Sequence, residues 1–128
     1  MHHLLLIVEP KGQRASRTLE EGQAAYAVML EYAQALQAEG VLLGYGSLLD
    51  EDQGLRLQHR EGRLHCIDGP FTETKEMIGG YFLVDCVDRE AALALAARCP
   101  AADWATVEVR PMGPCWVRGA PSAQVASA

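Results

Sequence analysis

One helix, marked at both ends, limits what this chain can fold into. Thr18-Leu19-Glu20-Glu21 has the pattern of a capping box. The Thr18 hydroxyl can accept from the amide at the third helical position, while Glu21 reaches back to the amide of Thr18. Tyr26, Met29, Leu30, Ala33 and Leu36 then recur at spacings of three and four along one face, up to about Glu39. Gly40 ends the helix because it tolerates the left-handed conformation after the last turn. An apolar run lies on each side, residues 3–9 before and residues 41–49 after. The first run ends in the turn signal Glu9-Pro10-Lys11-Gly12 and is followed by a polar, basic loop over residues 10–17. Strand, helix and strand in this order require the helix to lay its apolar face on a sheet. Gly44 and Gly46 in the second strand indicate a bulge or the close approach of another group.

The second half repeats the pattern after an insertion. Glu61-Gly62 is a two-residue hairpin turn between strands 55–60 and 63–68, which pairs 59 with 64, 57 with 66 and 55 with 68. One hairpin face then carries Leu55, Leu57, Leu64 and Cys66, with His59 at one end and Asp68 at the other. Arg56, Gln58, His65 and Ile67 take the opposite face. Residues 79–87 read as a central strand, apolar on both alternations. Asp88 caps a helix that Pro100 stops, and residues 104–110 alternate as a last strand. The predicted order β-α-β-(hairpin)-β-α-β is a ferredoxin-like α+β fold. Its helices cover one sheet face, so the other calls for a partner, most simply a second copy of the chain. The domain is expected over residues 1–112, with a Gly/Pro/Ala/Ser-rich tail at 113–128 that includes Trp116.

Composition narrows the function classes. The 128 residues suffice for one domain with its own core. A net charge of −6 and scattered arginines argue against a phosphate-tracking surface, so no nucleic-acid partner is expected. The N-terminal apolar run is too short to cross a membrane or direct export, which makes the cytoplasm the expected location. Cys66, Cys86, Cys99 and Cys115 are widely spaced, with no Cys-x-x-Cys pair and no cysteine–histidine spacing that suggests zinc, so neither zinc nor any other metal or cofactor is expected. They read as structural residues, with Cys66 and Cys86 in strand-like runs as small hydrophobes.

The densest chemistry lies in Asp68-Gly69-Pro70-Phe71-Thr72-Glu73-Thr74-Lys75-Glu76, followed by Gly79-Gly80-Tyr81. In these residues, and in matching junctions from Leu4 to Pro111, the chain resembles the DGPF-domain proteins, a YCII-related group. The resemblance implies a dimeric α+β barrel, in which ferredoxin-like protomers pack sheet to sheet. About activity it implies little. Many members have no known function, some are encoded beside sigma factors of the extracytoplasmic-function type, and related YCII proteins have been proposed to use a His/Asp pair. Fold kinship transfers no chemistry by itself. Gln58 stands where the family pattern has a basic residue and His59 where an apolar one is usual, so an anion held by that basic residue in relatives would here fall to Arg56 or Arg60, or the site takes a different ligand.

Two roles are open to Asp68. A carboxylate opening a Gly-Pro turn can accept backbone amides and fix the turn. On an apolar face, desolvation can instead raise its pKa until it carries protons near neutrality. Arg56, Lys75, Glu73 and Tyr81 are the candidate ligand-binding residues. Lys75 with Glu76 also reads as a solvated pair on a short turn, and Tyr81 as a half-buried core tyrosine. His65 lies on the opposite hairpin face from Asp68, so the two cannot form a dyad within one subunit. Three functions follow: a small-molecule-binding or regulatory homodimer, a cofactor-free isomerase or lyase using Asp68, and a protein-interaction module linked to sigma-factor regulation.

Overall fold

The computed structural model describes residues 1–118 of the chain. Six strands and two helices follow in the expected order. They are β1 (His2–Pro10), α1 (Leu19–Ala38), β2 (Leu42–Ser47), β3 (Leu55–Arg60), β4 (Arg63–Asp68), β5 (Glu76–Asp85), α2 (Arg89–Ala97) and β6 (Thr106–Pro111). Single 3-10 turns occupy Glu51–Gln53 and Pro100–Asp103.

The main sheet is antiparallel throughout, in the order β2-β5-β1-β6. This mixed α+β arrangement is compatible with a ferredoxin-like fold. The hairpin β3-β4 forms a separate two-stranded sheet. Its register matches the sequence reading: Leu55 pairs with Asp68, Leu57 with Cys66 and His59 with Leu64. Glu61 and Gly62 both have positive φ, which a two-residue turn of this twist requires. Every hairpin residue is exposed, including Leu55, Leu57, Leu64 and Ile67. Cys66, expected among buried hydrophobes, is therefore a surface thiol, because its strand lies outside the core.

The core lies between the helices and one face of the main sheet. Alternation along β1 sends His3, Leu5, Ile7 and Glu9 inward. Leu5, Leu36 and Val84 are completely enclosed, and Leu36→Ala would cost about 2–5 kcal/mol for the lost contacts and the cavity left behind. Tyr32 meets Phe82 edge to face at 5.1 Å and donates its hydroxyl to the Leu95 carbonyl at 2.6 Å. Burial pushes the Tyr32 pKa well above the usual phenol range.

The capping box of α1 is present in both halves, with Glu21 N donating to Thr18 Oγ1 at 3.1 Å and Thr18 N to Glu21 Oε1 at 2.8 Å. Asp88 caps α2 through the Ala91 amide. Two details depart from the sequence reading. β5 begins at Glu76 rather than Gly79, because residues 76–78 pair with Pro10, Glu9 and Val8 beyond a register shift. Glu76 is thus a strand residue and not part of a turn. The apolar stripe of α1 is buried at Ala33 and Leu36, yet Tyr26 in the first half is about half exposed. There the helix stands off the sheet. After β6 the described residues carry no helix or strand, and Trp116 is exposed. Of the expected tail, residues 119–128 lie outside the described residues.

Candidate functional site

The stand-off of α1 leaves a cavity of about 300 Å³ between the helix and the sheet. Its walls come from α1 (Ala25, Tyr26, Met29), from Tyr45 and Phe82 on neighbouring strands, and from Trp104. Tyr45 and Phe82 stack with ring centroids 6.0 Å apart. This is an apolar, aromatic enclosure near the small end of the range for ligand sites.

Its floor is polar. Glu9 is buried, and its Oε1 accepts from Arg14 Nε at 2.6 Å. Arg14 also donates through Nη1 to the Leu48 carbonyl at 2.7 Å and through Nη2 to the Gly79 carbonyl at 3.2 Å. The pair fits because position 79 has no side chain. A Cβ there would stand 2.1 Å from Glu9 Oε2 and 2.7 Å from Arg14 Nη2. Arg17 borders the cavity with its guanidinium over the Trp104 ring, 5.4 Å from the centroid. Arg17 makes no side-chain hydrogen bond or ion pair with the described residues.

The DGPF turn forms a second cluster. The Gly69–Pro70 peptide is cis. A Cβ on Gly69 would fall 1.9 Å from the Glu51 carbonyl oxygen, so the backbone approach here admits only glycine. Phe71 is buried beneath the Arg56 guanidinium, which lies 3.8 Å from the ring centroid. Arg56 also pairs with Glu73. A hydrogen bond from its own backbone amide, reinforced by Arg56, holds the Glu73 carboxyl below its ordinary pKa. Lys11 Nζ donates to the Phe71 carbonyl and pairs with Glu51 at 2.7 Å, and the Lys11 amide donates to the Lys75 carbonyl at 3.1 Å.

The five sequence candidates therefore fall into three places. Arg56 and Glu73 are joined in the turn cluster. Tyr81 reaches the cavity only along β5: its ring packs across Gly46, whose absent Cβ would lie 2.9 Å from it, on the sheet face opposite Tyr45 and Phe82. The side chains of Asp68 and Lys75 are exposed, make no hydrogen bond or ion pair with the described residues and do not line the cavity. Asp68 accepts no hydrogen bond from the described residues, so the turn is held by Gly69, Phe71 and Lys11 rather than by that carboxylate. Sequence reasoning missed Glu9, Arg14 and Arg17. A signal was available: Lys11, Arg14 and Arg17 recur every three residues in an acidic chain, within a segment read only as loop. Among the described residues no group of three His, Cys, Asp or Glu side chains is placed to hold a metal ion.

A family model described as YCII-related domain matches residues 1–115. The chain belongs to the YCII-related family. Its function in that family is not established. An uncharacterized protein of Rhizobium meliloti (strain 1021) is 35% identical to this YCII-related chain over 88 residues, covering 67% of it and 68% of the relative.

Proposed function

We propose that this YCII-related protein is a homodimer that binds a small molecule in the cavity beneath the first half of α1. One observation carries the reading: an aromatic-walled space of about 300 Å³ with the buried Glu9 carboxylate and its half-buried Arg14 partner at its base. Its concave aromatic walls can shield the apolar part of a ligand, and the polar groups give it something to orient against. Of the expected ligand-binding residues, Tyr81 adjoins this space only along its strand, with its ring on the other sheet face. Arg56 and Glu73 support it indirectly, since the loop carrying Arg14 also sends Lys11 to their turn.

The dimer is supported by the second face of the main sheet. It carries Leu4, Leu6 and Val8 of β1 and Ile78, Tyr81 and Leu83 of β5, with no helix against it. A cytoplasmic setting accords with the unpaired surface thiols of Cys66 and Cys115. No described helix is long and apolar enough to cross a membrane.

A thermal-shift screen of metabolite-sized compounds tests the binding. Hits are expected to raise Tm in the native protein and to lose that effect in Ala25→Trp, which fills the cavity from α1. Hits that stabilise both proteins equally would place binding elsewhere. For the dimer, sedimentation equilibrium should give twice the chain mass, and Leu6→Asp should halve it. A native monomer at micromolar concentration ends that part of the reading.

A further inference from the structure

The cation balance around the cavity indicates its ligand class. The loop between β1 and α1 carries Lys11, Arg14 and Arg17, one every three residues. Two of these have carboxylate partners: Lys11 has Glu51 at 2.7 Å, and Arg14 has Glu9 at 2.6 Å. Arg17 has none among the described residues. Glu21, the acidic side chain that feels its charge, is held by the Thr18 amide in the capping box. Arg17 is only partly exposed and borders both the cavity and the shallow depression that continues outward past Thr18 and Gln23.

Its geometry suits an incoming anion. A guanidinium over an aromatic ring uses its face for the cation–π contact and keeps its N–H donors free at the edge. That edge is a fork matched to a carboxylate. Behind it the walls are Tyr26, Tyr45, Phe82 and Trp104, four rings against which a planar aromatic group can pack. A single unpaired positive charge matches a monoanion better than a phosphate dianion, which would need further donors that Arg14 cannot supply while it serves Glu9, Leu48 and Gly79.

We infer that the cavity takes a planar aromatic monocarboxylate, its ring among Tyr26, Tyr45, Phe82 and Trp104 and its carboxylate on Arg17. The inference rests on the small-molecule reading above and specifies the ligand class.

The test titrates 4-hydroxybenzoate and the neutral 4-hydroxybenzamide into the full chain by isothermal calorimetry at low and high salt. The acid should bind at least about tenfold more tightly than the amide, as a charge-assisted fork implies. Salt should weaken the acid alone. Arg17→Gln should remove that preference, bringing the two affinities together, and Ala25→Trp should abolish both. Equal affinities of acid and amide for the native protein, both lost in Ala25→Trp, overturn the anion assignment and leave the cavity reading standing. An acid preference that survives Arg17→Gln overturns the role of Arg17. Binding of neither probe overturns the proposed ligand class, while the cavity reading is then decided by the thermal-shift screen.

Discussion

Arg14 Nε lies 2.6 Å from Glu9 Oε1, and the pair is housed where β5 has no side chain at Gly79. Glu9 is almost wholly shielded from water, so its carboxylate depends on Arg14 for compensation. Arg14→Met leaves that charge buried and alone, and should cost roughly 3 kcal/mol of unfolding free energy. Gly79→Ala should produce a loss of similar order by a different route, since the new methyl occupies space held by both partners. Urea denaturation of the two variants and the double mutant checks this. If the pair is the shared target, the double mutant loses clearly less than the sum of the single losses.

The DGPF turn separates a backbone requirement from a side-chain one. Gly69→Ala would force a Cβ into the Glu51 carbonyl, where no flexible side chain can yield. A loss of more than about 2 kcal/mol is expected, at the severe end for single substitutions. Asp68→Asn, one residue away, removes no hydrogen bond and should stay within about 0.5 kcal/mol. Thermal unfolding of both distinguishes the roles. A loss of several degrees in Asp68→Asn would restore the turn-fixing role for that carboxylate.

These two sites also mark how far the sequence could be read. The capping box, the hairpin register and the order of elements along the chain followed from local rules, because a cap, a turn and a period-two alternation each involve neighbours in the chain. The stand-off of α1 did not. Tyr26 and Met29 carry the periodicity of a buried face, and only the tertiary placement of the helix leaves space beneath them. The Glu9–Arg14 pair was hidden for a related reason: Glu9 ends an apolar strand and reads as the start of a turn, while its burial depends on the bulge at Gly79. Asp68 was placed on the correct hairpin face, but the hairpin lies off the main sheet, so facing the apolar side did not mean being buried.

Thiol reactivity should follow burial rather than sequence context. Cys66 and Cys115 are exposed, whereas Cys86 and Cys99 are enclosed. Burial pushes both enclosed thiols above their ordinary pKa, further suppressing the reactive thiolate. A maleimide at neutral pH should label Cys66 and Cys115 promptly and the other two only after denaturation, as peptide mapping by mass spectrometry can show. Rapid labelling of Cys99 in the native protein would mean that the α2 end of the core opens readily.

His3 supplies the pH dependence. It is fully buried on β1, and neither Nδ1 nor Nε2 has a hydrogen-bond partner. Burial, the largest influence, holds its pKa below the ordinary value of 6.5, with the N-terminal amine and Arg89 acting in the same direction and the Met1 backbone and Asp88 favouring the charged form. When the folded-state pKa is the lower one, the unfolded chain binds the proton first. The neutral ring then carries no penalty above about pH 7, and stability falls as pH drops through about 6.5 toward the folded-state value. His3→Leu, similar in size and free of polar atoms, should be more stable by about 1–2 kcal/mol at neutral pH, because two unsatisfied nitrogens leave the core. It should also lose part of the decline between pH 7 and pH 5 seen in the native protein. Guanidinium titrations of both proteins across that interval make the comparison, with the carboxylates common to both cancelling. If the two stability curves run parallel, the acid sensitivity originates in another group.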